Sequence, residues 1–274
     1  MVEWFTSTAG VRVPKIIYGT AWKKAATESL VTAALKHGFR GVDTACQPKH
    51  YEEPGVGAAL KHIPRQELFL QTKYTPVSGQ DPDRIPYDAK ASITEQVAQS
   101  CEISLRNLRT DYIDSLVLHS PLPSMKLTQE AWRAMEALVD SGKVRQIGIS
   151  NSYQLHQLEA LYQAARIKPA VVQNRFYADT RFDKSLRAWC REQKIIYQSF
   201  WTLTANPKVL SGPVLTAIAK KHERTAPQVL FRYLTQIDVA PLTGTSSEQH
   251  MQEDLAIFDF QLEPAEVDRM TELF

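Results

Sequence analysis

The sequence predicts an α/β fold in a single domain spanning residues 1–274, a closed (β/α)8 TIM barrel. Short apolar runs alternate with longer segments of helical period along nearly the whole chain, and the strand-plus-helix unit recurs eight times. Such alternation implies a parallel sheet, because a right-handed crossover helix is the usual way to join parallel neighbours. Eight units in ~250 residues suit a closed barrel, whereas an open doubly wound sheet carries fewer strands and a glycine-rich first turn. Neither G-x-G-x-x-G nor G-x-x-x-x-G-K-[ST] occurs, so any nucleotide must be held without those loops.

In chain order, the piece from Trp4 to Val13 reads as a small hairpin, followed by a strand at 15–20 and a helix at 26–37. Phe39-Arg40-Gly41-Val42 makes the second barrel strand, 39–44, and a helix at 52–61 follows. Leu68-Phe69-Leu70-Gln71-Thr72 gives the third strand, 68–73. In the helix expected at 90–107, Val97, Cys101 and Leu105 share one stripe with polar residues opposite, as an amphipathic helix requires. Ser115-Leu116-Val117-Leu118 supplies the fourth strand, 114–119, before a helix at 128–141. The later strands fall at 145–150, 170–174, 194–199 and 238–243, and the helices at 154–165, 183–193 and 212–235, with a final one near 248–257.

Composition narrows the function classes. With 274 residues and 43% hydrophobic content the chain can bury one large core, and no Ser/Gly-rich or charged linker divides it. The net charge is +2 and no Lys/Arg cluster dominates any stretch, so nucleic acid is not an expected partner. The pairs Lys23-Lys24 and Lys220-Lys221 read as solvated helix faces. No run approaches the ~18 apolar residues that span a bilayer, and Met1-Val2-Glu3-Trp4-Phe5 has no signal-peptide pattern. Cys46, Cys101 and Cys190 form neither a paired framework nor a C-x-x-C set. A cytoplasmic protein without a metal is the expectation.

Four polar residues stand at or beyond strand ends: Asp43, Tyr51, Lys73 and His119. Ligands meet the carboxyl ends of parallel strands, so groups placed there converge on one site. A phenol with an ordinary pKa near ~10 is a feeble acid unless a cation stabilises its phenolate. Lys73 can supply that cation, Asp43 can keep it charged and aimed, and His119 can hydrogen-bond a carbonyl oxygen or relay a proton. Together they suit protonation of an oxygen as negative charge develops on it. Taken singly, each also has a plain structural reading: a loop start for Asp43, a half-exposed aromatic for Tyr51, a snorkelling strand end for Lys73 and a strand terminus for His119.

These residues and their surroundings resemble the aldo-keto reductases from Val13 to about Leu273. Gly38-Phe39-Arg40-Gly41-Val42-Asp43-Thr44-Ala45 is similar to the first family signature, and Asp111 to Pro121 to its histidine strand. Gly142-Lys143-Val144-Arg145-Gln146-Ile147-Gly148-Ile149-Ser150-Asn151 is the most specific match. The resemblance implies reduction of an aldehyde or ketone by NADPH, with NADH possible, Tyr51 as general acid, Lys73 and Asp43 as its tuning pair, and His119 orienting the carbonyl. It also implies that Ser150, Asn151 and Gln173 hold the nicotinamide carboxamide, that Phe200 stacks on the ring, and that Gly19, Thr20, Asp43 and Leu203 line the cofactor. Gly244, Thr245, Ser246, His250, Glu253 and Asp254 would receive its adenosine end.

This chain departs from the family pattern at several points. Asp43 and Tyr51 are eight positions apart where five is usual, with His50 as rival occupant, and Cys46 in the same loop is the thiol expected to respond to cofactor. The usual glutamate after Gln173 is replaced by Asn174-Arg175, and the usual tryptophan after His119 by Ser120. Trp22, Tyr74 and Trp201 follow strand ends and can offer apolar walls or pack as core. Gly244 and His250 stand where the family places a lysine and an arginine on the cofactor's 2′-phosphate, which implies a weakened preference for NADPH. Two other readings stay open: a nicotinamide-binding regulatory or scaffold barrel with little turnover, and a cofactor-independent isomerase or lyase using Lys73 as a Schiff-base nucleophile.

Overall fold

Strands β1 (Trp4–Thr6) and β2 (Arg12–Pro14) pair antiparallel, with Phe5 opposite Val13, as the expected hairpin. The computed structural model describes residues 2–61 and 63–274; the expected domain of 1–274 also takes in Met1 and His62, which lie outside the described residues. Val11 and Val13 pack with Ile17, Phe69, Val171, Ile196 and Ala240 from five barrel strands, so the hairpin plugs the amino end of the barrel.

The barrel alternates as the sequence predicts: β3 (Ile17–Gly19), α1 (Thr27–His37), β4 (Gly41–Asp43), α2 (Glu53–Leu60), β5 (Phe69–Tyr74), α3 (Ile93–Leu108), β6 (Ile113–Leu118) and α4 (Met125–Asp140). It continues through β7 (Val144–Ser150), α5 (Leu155–Ala164), β8 (Val171–Arg175), α6 (Lys184–Glu192) and β9 (Ile196–Phe200). The last part holds α7 (Pro207–Leu210), α8 (Pro213–Lys221), α9 (Ala226–Gln236), β10 (Val239–Thr243), α10 (Glu248–Leu255) and α11 (Pro264–Thr271). The eight strands β3 to β10 are parallel and closed, β10 pairing with both β9 and β3.

Side chains alternate across each strand. On β5, Leu70 joins the outer apolar layer beneath the helices, while Gln71 and Lys73 point into the barrel. The stripe of Val97, Cys101 and Leu105 on α3 is buried in that outer layer, as expected. Tyr74 also lies there, 1% exposed and bonded through its hydroxyl to Gln96, so it is core and not a pocket wall.

Two expectations are corrected and one helix is added. The single helix expected at 212–235 is two, because Glu223 takes a left-handed conformation at φ 53° and Thr225 starts α9 with a capping box to Gln228. The segment near 248–257 is not the final helix, since Pro264 at an N-terminal position opens α11. The short α7 was not anticipated.

Candidate active site

Asp43 closes β4, Lys73 lies near the end of β5 and His119 follows β6, so the parallel register carries all three to the same mouth. The Lys73 Nζ donates to Asp43 Oδ2 at 2.6 Å and to the Thr44 carbonyl at 2.8 Å, and both side chains are buried. The other carboxylate oxygen, Oδ1, accepts from Gln71 Nε2 at 2.7 Å and Gln173 Nε2 at 3.0 Å. Gln198 ties those two amides together, accepting from Gln71 at 2.7 Å and from Gln173 at 2.9 Å. A buried ion pair holds only when its remaining lone pairs are satisfied, and Gln71 and Gln173 do this for Asp43, with Gln198 holding the two in place. Burial pulls the Lys73 pKa down, while Asp43 and Glu53 oppose it.

The lengthened loop after β4 coils back on itself. The backbone N–H groups of His50 and Tyr51 both reach the Gln47 carbonyl, Gln47 Nε2 donates to the Gly79 carbonyl at 2.6 Å, and Trp22 N–H donates to the His50 carbonyl at 2.7 Å. The coil absorbs the extra residues and returns Tyr51 to the site. Its ring centroid lies 5.1 Å from Lys73 Nζ and 6.0 Å from the His119 ring. Burial, and then Asp43, raise the phenol's pKa. Its hydroxyl takes part in no hydrogen bond among the described residues. His50 packs against the exposed Trp22, ring centroids 3.8 Å apart and tilted by 36°, with its Nδ1 buried and unpartnered. Cys46 is 2% exposed and burial pushes its thiol up to about 12, which removes the expected reactivity.

Burial, with Lys73 and His50, holds His119 well below the usual histidine range, so the ring is neutral. Its Nδ1 lies 2.6 Å from Thr75 Oγ1, and its carbonyl accepts from Asn151 Nδ2 at 2.8 Å. Asn151 turns left-handed, φ 54°, straight after β7, and Tyr153 OH donates to its Oδ1 at 3.1 Å. Ser150 Oγ donates to the Gln173 carbonyl at 2.6 Å, so Ser150, Asn151 and Gln173 form one polar corner. That corner, with Phe200 beside it at the end of β9, suits the carboxamide and face of a nicotinamide.

A family model described as the aldo/keto reductase family matches residues 15–274. The chain belongs to the aldo/keto reductase family. It is 35% identical over 248 residues to a glyoxal reductase of Bacillus subtilis (strain 168), covering 90% of this chain and 83% of that one. It is 28% identical to an NADPH-dependent alpha-keto amide reductase of Saccharomyces cerevisiae, covering 99% and 90%. A crystal structure of an aldo/keto reductase from Brucella melitensis superposes with a TM-score of 0.86 at 29% identity, over 100% of both chains. As an aldo/keto reductase the protein is an NAD(P)H-dependent oxidoreductase acting on small carbonyl compounds, and it takes a nicotinamide cofactor. No helix among the described residues is long and apolar enough to cross a membrane.

In this aldo/keto reductase the remaining residues expected at the cofactor fall at the end of β3, after β9, and on and before α10. Gly19 ends β3, and Thr20 is buried with its hydroxyl donating to the Asp43 carbonyl at 2.9 Å. Leu203 is half-buried against the outer apolar layer. Beyond β10, Gly244 and Ser246 are exposed, Ser247 caps α10 through the His250 N–H, and Thr245 Oγ1 lies 3.4 Å from His250 Nδ1. Glu253 accepts from Gln249 at 2.8 Å. Asp254 turns inward, accepts from Thr243 Oγ1 at 2.6 Å, and is pushed up to about 6 by burial.

Sequence reasoning missed five contributors. Lys23 is not a solvated helix-face residue: its Nζ donates to the Gly244 carbonyl, placing a cation where the family's lysine is absent. Thr75, Tyr153 and the pair Gln71 and Gln198 support His119, Asn151 and Asp43. Only the inward period of β5 and β9 marked the glutamines in advance.

Proposed function

We propose that this aldo/keto reductase reduces small aldehydes and ketones, dicarbonyls such as glyoxal among them, with Tyr51 as the general acid. The observation that carries the reading is the convergence of Tyr51 and His119 on a Lys73 that is itself buried and paired with Asp43. Thr75 Oγ1 is 2.6 Å from Nδ1, and with Thr75 as donor there neutral His119 would keep its proton on Nε2 and could donate it to a carbonyl oxygen. Tyr51 then passes its proton to that oxygen as charge develops, and Lys73 stabilises the phenolate left behind. A bound reduced nicotinamide supplies the hydride for the carbonyl carbon. Ser150, Asn151 and Gln173 would hold its carboxamide and Phe200 its ring.

The names of the B. subtilis and S. cerevisiae relatives support this substrate class and NADPH. Lys23, Thr245 and the start of α10 would meet the cofactor's phosphates, and with His250 in place of an arginine the preference for NADPH over NADH is modest. The chain works as one domain in this reading, and three unpaired buried cysteines support a cytoplasmic setting. The Schiff-base alternative loses support because the Lys73 amine is held by two oxygens at 2.6 and 2.8 Å.

The test is Tyr51→Phe. Carbonyl reduction should fall about 10²- to 10⁴-fold, the worth of general acid catalysis, while the NADPH dissociation constant from fluorescence quenching stays nearly unchanged. A variant that keeps most of its activity overturns the assignment. His50, whose unpartnered Nδ1 favours it as second candidate, is then replaced by alanine.

A further inference from the structure

Arg175 closes β8 two residues beyond Gln173, and so shares that residue's inward face. Gln173 reaches Asp43 inside the barrel, which places Arg175 directly above it at the mouth. Across the strand pair, Arg175 is in register with Phe200, as Gln173 is with Gln198. The guanidinium therefore stands at the nicotinamide end of the site. Its Cζ lies 4.2 Å from the Trp201 ring centroid and 5.2 Å from that of Tyr177, so two aromatic rings flank the guanidinium. The backbone is held as well, Arg175 N–H donating to Tyr153 OH at 3.2 Å, the same hydroxyl that orients Asn151.

What this arginine lacks is an anion. No ion pair among the described residues includes it. Its Nε is buried with no acceptor. A guanidinium flanked by rings and lacking an anion can receive a carboxylate in two parallel hydrogen bonds from its terminal nitrogens. The cofactor's phosphates are placed at the far side of β9, near Lys23 and the loop after β10. That leaves the substrate as the source of the negative charge.

We infer that Arg175 is a specificity-determining residue that selects carbonyl substrates carrying a carboxylate, such as 2-oxo acids and aldehyde acids. The inference rests on the carbonyl-reductase reading above and adds the substrate class to it. The experiment compares kcat/KM for 4-carboxybenzaldehyde against methyl 4-formylbenzoate, and for glyoxylate against glyoxal, in the wild type, Arg175→Met and Arg175→Lys. Methionine keeps the length and the contact with the rings but removes the charge. The expected result is a preference for the carboxylate in at least one pair that drops about 10- to 100-fold in Arg175→Met, the worth of a charge-assisted pair, and is partly kept in Arg175→Lys. Thermal unfolding and NADPH quenching establish that each variant is folded. Should the wild type reduce the neutral carbonyls while Arg175→Met leaves both ratios unchanged, the inference is wrong and the reductase reading stands. Weaker NADPH binding in Arg175→Met with unchanged ratios would assign the arginine to the cofactor instead, which also overturns it. Turnover of none of the four compounds sinks the reading and the inference together.

Discussion

In the proposed mechanism Thr75 acts through His119. Its hydroxyl lies 2.6 Å from Nδ1 and, as donor, would favour the tautomer with the proton on Nε2, while burial keeps the ring neutral, so protonation of His119 does not limit activity between pH 6 and 8. Thr75→Val retains the shape but removes the hydrogen bond. We expect kcat to fall about 10-fold, the worth of one hydrogen bond, with NADPH affinity unchanged and with Thr75→Ser restoring most of the rate. Equal rates for Val and Ser variants would show that only packing matters there. At the other end of the site, His250→Arg restores a fixed charge beside Thr245. The ratio of NADH to NADPH dissociation constants should rise about 10-fold for this variant, measured by quenching. An unchanged ratio would mean that Lys23 alone answers the phosphate.

Among the elements, α11 was hidden in the sequence and α8 and α9 were fused, for related reasons. Residues 212–235 keep a helical period throughout, and a left-handed residue such as Glu223 leaves no mark unless it is glycine. Thr225-Ala226-Pro227-Gln228 did carry a readable start signal. The same logic applies to Glu263-Pro264, where α11 begins. Glu266 of α11 fastens it to the end of α8: it is 1% exposed and accepts from Lys221 at 2.9 Å and His222 Nε2 at 2.8 Å. Burial alone would raise its pKa, but those two partners and the Glu263 N–H pull it down to about 2. A carboxylate depressed in the folded state contributes stability above its ordinary range near 4.5, and loses it as pH falls toward about 2. Glu266→Gln should therefore lower the Tm at pH 7 by about 3 to 6 °C, a deficit that shrinks by pH 3. A deficit independent of pH would place its role in packing alone.

At the scale of the whole molecule, strand order and barrel closure were legible because period and length constrain them together. Asp43, Lys73 and His119 were legible for the same reason, each being fixed by its position at a strand end. Tyr51 was legible only as a residue type, since the path of an eight-position loop depends on the contacts of Gln47 and His50 and not on any local pattern. Lys23, Thr75 and Arg175 were hard to read because their contacts with Gly244, His119 and Trp201 join segments distant in sequence.

The glutamine floor beneath Asp43 also turns the site into its own spectroscopic reporter. Gln71 and Gln198 are 0% exposed and Gln173 is 2% exposed, and Nε2 of each donates to another side chain of this network. Amide protons held in this way exchange with water only when the barrel opens, so in a sample transferred to D₂O their NH₂ resonances should outlast those of surface glutamines such as Gln249. Because Gln173 touches both Asp43 and the corner assigned to the carboxamide, its pair of signals should shift first when nicotinamide arrives, giving a view of cofactor occupancy that needs no turnover at all.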